Sequence, residues 1–326
     1  MSTPLVSIKD MGLRFTGSRT VNAVNQISME LASGEVLGLL GESGSGKSAT
    51  LRALLRLYPE RSAQVSGLIQ IDGKDVLSLK GRALEQYRGG TVSMVFQEPG
   101  VAFDPVYTIG QQIVEAIKAH NGVSDKVAGA QALQMLERVQ IPQARRRFDA
   151  YPHELSGGMR QRAMIALALS CKPKLLLADE PTTALDATVQ IQILLLLREL
   201  QKEMNMSVIF VTHDIGAAVE VADRVAVMYA GRIVEQGAVA DIVYRPLHPY
   251  TAGLLASTVS ACNKGRPLQA VPGSPPDMSN PPAGCSFATR CTFASEKCQR
   301  EVPPVETVNR HSLACWHPLD SRAVAA

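Results

Sequence analysis

The sequence predicts an α/β fold, a parallel sheet covered by helices on both faces. Three observations carry that expectation. Short, nearly continuous apolar runs at Glu35 to Leu40, Leu175 to Ala178 and Val208 to Thr212 have the length of strands buried on both faces. Stretches with helical spacing lie before and between them. A glycine-rich loop follows the first run directly and opens a helix.

The elements follow in order. Residues 4 to about 90 alternate short apolar runs with turns. Glu35 to Leu40 is apolar apart from its first residue and Gly38, and it feeds straight into the glycine loop. Ala49 to Leu57 has helical spacing and good helix formers. Val92 to Phe96 reads as a further strand, ending at Gln97. Between about 105 and 155 the pattern is helical, with Ile109 to His120 and then Asp125 to Val139. Ala163 to Ser170 and Thr188 to Met204 are helical too. After residue 245 prolines at 246, 249, 267, 272, 275, 276, 281 and 282 break regular structure. The chain therefore reads as a main domain over 1–245, with a helical subdomain at about 98–155. Residues 246–326 form a small appended module, largely loops, without a large apolar core of its own.

Composition narrows the classes. Of 326 residues, 46% are hydrophobic and 19% charged, the balance of a globular chain with ample core. A net charge of +3 gives no support to coating nucleic acid. The N-terminus has neither the basic nor the apolar region of a secretory signal, and no apolar run approaches the ~18 residues that span a bilayer. A cytosolic chain that docks on a membrane protein is the expectation.

Gly41-Glu42-Ser43-Gly44-Ser45-Gly46-Lys47-Ser48 is a phosphate-binding loop. Glycines let backbone N–H groups surround phosphate oxygens, and the helix that follows adds its positive dipole end. Lys47 reaches the β and γ phosphates and the Ser48 hydroxyl ligates Mg²⁺. Downstream, Leu175 to Ala178 ends in Asp179 and Glu180. Asp179 suits Mg²⁺, and Glu180 suits the orientation and deprotonation of a water. Gln97 and His213 close other strands, where each can reach the same phosphates. Leu155-Ser156-Gly157-Gly158-Met159-Arg160-Gln161-Arg162 is a second anion-binding helix start. One ATP does not need two on one chain. The economical arrangement is a dimer in which this segment covers the partner's ATP.

With these residues in place the chain resembles the ATP-binding-cassette (ABC) ATPases, over residues 5 to about 245. The resemblance implies a phosphate-loop core with an antiparallel β subdomain and an α-helical subdomain. It makes 155–162 the signature motif that acts across a dimer, Gln97 the Q-loop glutamine, His213 the switch histidine and Ala184-Leu185-Asp186 the D-loop. Phe15 resembles the aromatic that stacks on adenine. The implied ATP contacts are Phe15, Gly41 to Ser48, Ala49, Gln97 and Asp179, with Ser156, Gly157, Gly158 and Asp186. Mg²⁺ falls to Ser48, Gln97 and Asp179, and catalysis to Glu180, Gln97 and His213.

Tyr151-Pro152-His153-Glu154, Glu180-Pro181-Thr182-Thr183-Ala184-Leu185-Asp186 and His248-Pro249-Tyr250-Thr251 resemble the dipeptide, oligopeptide and nickel importers. Glu98 departs from the pattern, since relatives more often carry Asp after the glutamine. The implied assembly pairs this chain with a homologous, non-identical ATPase subunit and two transmembrane permease subunits. An external substrate-binding protein feeds it, and the ATPase sits peripherally on the cytoplasmic face of the inner membrane. Peptides lead as cargo, with nickel chelates, opines and glutathione-like compounds as alternatives. The rival from another class is a soluble ABC ATPase acting on DNA or ribosomes. Only 57 residues separate Gln97 from the signature, too few for the long coiled coil of DNA-repair relatives.

Cys285, Cys291, Cys298 and Cys315 crowd the last 42 residues, at intervals of five, six and sixteen residues. In a cytosolic chain such a cluster suggests metal sooner than disulfides. The spacing alone leaves zinc and iron–sulfur open. The family resemblance implies a [4Fe–4S] cluster, with Cys171 and Cys262 outside it.

Overall fold

Apolar runs become buried strands within a residue of where the sequence puts them. In a computed structural model that describes residues 3–183, 185–257, 271–308 and 311–319, the strands are as follows. They are β1 (Val6–Phe15), β2 (Val21–Leu31), β3 (Val36–Leu40), β4 (Ala63–Ile71), β5 (Lys74–Asp75) and β6 (Val92–Val95). Then come β7 (Leu175–Asp179), β8 (Ser207–Val211), β9 (Arg224–Tyr229), β10 (Arg232–Ala238), β11 (Glu306–Val308) and β12 (His311–Leu313). The α-helices are α1 (Lys47–Leu54), α2 (Gly81–Gln86), α3 (Ile109–Asn121), α4 (Asp125–Arg138), α5 (Ala144–Phe148) and α6 (Gly157–Leu169). They continue with α7 (Ala187–Met204), α8 (Ile215–Val221), α9 (Val239–Tyr244), α10 (Pro249–Ala256) and α11 (Glu296–Arg300). The chain forms two compact units.

The first unit takes the described residues of 1–31, 36–77 and 212–326. Its antiparallel sheet has the order β2-β1-β4-β5. β1 buries Val6 and Ile8, then Met11 and Leu13, two period-2 runs on either side of a register shift between Ile8 and Met11. A second layer runs β11-β12-β10-β9-β3, with β9 parallel to β3 and the remaining pairs antiparallel. The C-terminal segment belongs to this unit. Phe287 is buried in one core cluster with Tyr229, Val227, Val225, Leu40 and Tyr250. Its ring meets those of Tyr229 and Tyr250 at 5.2 and 5.4 Å between centroids.

The second unit takes 32–35 and 78–211. Its strands run parallel in the order β8-β7-β6, and every residue of all three is buried. That is why they read as continuous apolar runs. The helical part begins at α3, where Thr108 and Gln111 form a reciprocal capping box. The helix stops at Gly122, at a φ of 62°. Helix α6 starts at Gly157, six residues before the periodic stretch the sequence shows, because Ser156 caps it.

Candidate active site

In the first unit the chain leaves β3 at Leu40 and enters α1 at Lys47. Two glycines make the path possible. Gly41 has a φ of 148°, and a β-carbon there would strike the Met228 carbonyl. Gly46 has a φ of 103°, and a β-carbon would lie 2.6 Å from the Ala23 carbonyl oxygen. Lys47 is buried at 5% exposure. Its Nζ donates to the carbonyls of Gly41 at 2.7 Å and Glu42 at 2.9 Å. The ammonium thus holds the loop closed at the head of α1, where free N–H groups gather. Ser48 and Ala49 lie partly buried in that first turn.

Glu42 is bonded from elsewhere in the unit as well. Its N–H donates to the Tyr250 hydroxyl at 2.9 Å, and its carboxylate accepts from both terminal nitrogens of Arg290 at 2.9 and 3.2 Å. Burial above all pushes the Tyr250 phenol far above its ordinary range, so it stays protonated. Phe15 ends β1 half-buried, with Tyr58 edge-on at 4.9 Å. His213 is exposed beside Thr212, whose N–H donates to the Leu39 carbonyl at 3.3 Å.

The second unit holds the carboxylates. Asp179 ends β7 fully buried. Glu180 turns away with a φ of 45°, a left-handed backbone that costs of order 1 kcal/mol or more and recurs at functional sites. Its N–H donates to the Val211 carbonyl at 3.0 Å. Its Oε2 accepts from Gln97 Nε2 at 3.2 Å and Thr183 Oγ1 at 2.8 Å. Gln97 and Glu180 are thus brought together from 83 residues apart. From the sequence, Thr183 is named only within the Glu180 to Asp186 string and has no role; its hydroxyl three residues after the candidate base is the signal for one.

At the head of α6, Ser156 Oγ accepts from Met159 N–H at 3.3 Å, while Ser156 and Gly157 stay exposed. Asp186 caps α7 by accepting from Val189 N–H at 3.0 Å. A β-carbon on Gly158 would lie 3.0 Å from Val189 Cγ1, so the signature and the cap of α7 pack on each other.

The four late cysteines share one neighbourhood in the first unit. Cys285 N–H donates to the Cys298 carbonyl at 2.7 Å. Burial pushes all of Cys285, Cys291 and Cys315 up, Cys315 to about 11. Beyond burial, Cys285 feels Cys298 and Cys291, and Cys315 feels the other three. Yet among the described residues no group of three or more His, Cys, Asp or Glu side chains is set to hold a metal ion. The four-sulfur ligand set expected from the sequence is not closed here. Cys171 lies in the other unit, its thiol against the Ala116 carbonyl at 3.5 Å. Cys262 and Ala184 fall outside the described residues.

A glycine loop closed by a buried lysine, with a buried aspartate and a braced glutamate at strand ends, defines a phosphate-loop ATPase. Residues 24–183 match the ABC transporter family, and 234–298 match the oligopeptide/dipeptide transporter C-terminal region. A Brucella melitensis protein named as a peptide import ATP-binding protein is 47% identical over 321 residues, 94% of this chain and 95% of its own. A Sinorhizobium fredii protein named as a peptide ABC transporter ATP-binding protein is 46% identical over 317 residues, 96% of this chain and 94% of its own. Among solved structures, a dimeric ATP-binding cassette in a post-hydrolysis state with ADP and phosphate is 28% identical at a TM-score of 0.64. That match covers 72% of this chain and 98% of the cassette. The chain belongs to the ABC transporter family, and it is an ATPase.

Proposed function

We propose that this ATPase powers peptide uptake through a membrane importer. The match of its C-terminal region to that of oligopeptide and dipeptide transporters carries the reading. No helix among the described residues is long and apolar enough to cross a membrane. In this reading permease partners carry the translocation. Val101, Val106 and Tyr107, which follow Gln97, are 73%, 68% and 52% exposed and offer those partners an apolar contact. Two permeases, a homologous ATPase subunit and an external binding protein complete the assembly, with this chain peripheral on the cytoplasmic face.

Local geometry and the family resemblance support the following roles. Lys47 exchanges the loop carbonyls for phosphate oxygens, and the N–H groups at the head of α1 take the rest. Ser48, Gln97 and Asp179 would each offer Mg²⁺ an oxygen donor, the kind it prefers, and the ion would supply charge neutralisation when bound. Gln97 and Thr183 hold the Glu180 carboxylate in place, and that carboxylate takes a proton from water. His213 serves the γ-phosphate, Phe15 the adenine, and Ser156 to Gly158 with Asp186 the partner's nucleotide. The carboxylates and the loop do not choose the cargo. Nickel chelates, opines and glutathione-like compounds are therefore arms of the test.

That test is uptake of labelled peptides into vesicles carrying the whole assembly. Glu180→Gln should bind ATP yet lower both hydrolysis and uptake by roughly 10²-fold or more, the scale of a lost general base. Near-normal hydrolysis would remove Glu180 from that role. ATP-driven uptake of another cargo class, with peptides excluded, would overturn the peptide reading.

Cys285, Cys291, Cys298 and Cys315 are soft thiol donors, the kind that a [4Fe–4S] cluster or zinc selects, and the family resemblance is what supports such a group here. The cluster is the reading preferred, as a structural cross-link of a proline-rich segment. Protein purified without oxygen should be brown and hold iron and sulfide in near-equal amounts. Stoichiometric zinc without iron would replace the cluster.

A further inference from the structure

The geometry points to Arg290, far from the phosphate loop in sequence, as a positioning residue for nucleotide binding that acts through Glu42. Its guanidinium is 4% exposed, and each of its five N–H groups has an acceptor. Nε donates to the Pro272 carbonyl at 2.7 Å. Nη1 donates to Glu42 Oε2 at 2.9 Å and the Tyr229 hydroxyl at 3.2 Å. Nη2 donates to Glu42 Oε1 at 3.2 Å and the Val271 carbonyl at 3.1 Å. Three of the acceptors, Pro272, Val271 and Tyr229, fix the fork. The other two contacts spend it on one residue of the phosphate loop.

Glu42 is the point where that hold becomes useful. Its carbonyl accepts from Lys47 Nζ at 2.9 Å and from Ser45 N–H at 3.2 Å, inside the loop. Its own N–H is tied to the Tyr250 hydroxyl. Arg290 therefore fixes the residue whose carbonyl sets the resting place of the phosphate-binding lysine. A loop held in shape before the ligand arrives does not lose that freedom on binding. The charge matters too. A carboxylate in a loop that receives a polyphosphate repels it, and the bidentate ion pair cancels that repulsion. Both effects favour nucleotide binding, and neither touches the reacting atoms.

The experiment is equilibrium binding of ATP and steady-state hydrolysis on the full chain in its assembly. Arg290→Ala should raise Kd and KM for ATP about 30-fold, the scale of truncating one partner of a hydrogen-bonded charge pair, with kcat held within about twofold. Adding Glu42→Gln to Arg290→Ala should restore most of the lost affinity, because the stranded charge is then gone. A purely structural role in the C-terminal segment would not be rescued by a change at residue 42. Arg290→Lys keeps the charge and loses the fork, so it should weaken ATP binding about fivefold, which covers the case in which Arg290→Ala does not fold. Unchanged ATP affinity in Arg290→Lys and Arg290→Ala would overturn the proposal. So would a double variant no tighter than Arg290→Ala.

Discussion

Two helices in this chain begin with the N–H groups that anions seek, and they are built differently. The head of α1 is enclosed: Ser45 and Lys47 are 3% and 5% exposed, Lys47 closes the loop, and Tyr250 and Arg290 brace it from behind. The head of α6 is open: Ser156 and Gly157 are exposed, and the Ser156 hydroxyl caps a single N–H. A helix start can present three or four such donors. The first site carries its own lysine and walls. The second leaves Ser156 and Gly157 open to solvent.

Substitutions at the two heads should therefore fail in different ways. Lys47→Ala removes a buried ammonium and should weaken ATP binding to the single chain roughly 10²-fold or more. Ser156→Arg should leave that binding within about twofold, yet reduce hydrolysis by the assembly roughly 10²-fold, as loss of a preorganised anion site does. Subunits carrying one change each, mixed in both orders, show whether the defects fall on one composite site. If an isolated monomer hydrolyses ATP at the full assembly rate, the contrast between the heads is wrong.

Acid should weaken the brace behind α1 next. His248 accepts from Tyr250 N–H at the start of α10, and burial lowers it from 6.5 to about 4 despite nearby Glu235. The folded state thus holds a neutral ring that the unfolded chain protonates from about pH 6.5 downward. Stability is complete above that pH and falls towards pH 4 by about 3 kcal/mol. Thermal melts across that window on wild type and His248→Asn check it, and the variant should show a flatter profile. The smallest effect is at the open head. Gly158→Ala adds a methyl 3.0 Å from Val189 Cγ1 and should cost about 1 kcal/mol, read by denaturant midpoint.

How legible each part was follows from the range of the interactions. Strands β3, β7 and β8 are buried on both faces, so composition marks them to within a residue. The phosphate loop is local chemistry, eight consecutive residues whose glycines announce the backbone. The head of α6 is half-legible: Gly157 and Gly158 weaken the helical pattern, and only the cap at Ser156 marks the true start. The brace on Glu42 was invisible. Nothing in a single sequence links Arg290 to a residue 248 positions earlier, and Glu42 itself reads as filler between glycines. The left-handed turn at Glu180 was equally hidden, since glutamate has no preference for it.

Glu235 on β10 is wholly buried, and its carboxylate is met by the N–H groups of Leu247 and His248 and the His311 ring. All three lie beyond the point where the ATPase pattern fades. Cutting the gene there would strand a charge in the dark of the protein, a penalty of about 3–5 kcal/mol. The same carboxylate that seats the tail therefore becomes a liability without it, and a truncation at residue 245 should be tolerated better with Glu235→Gln than alone.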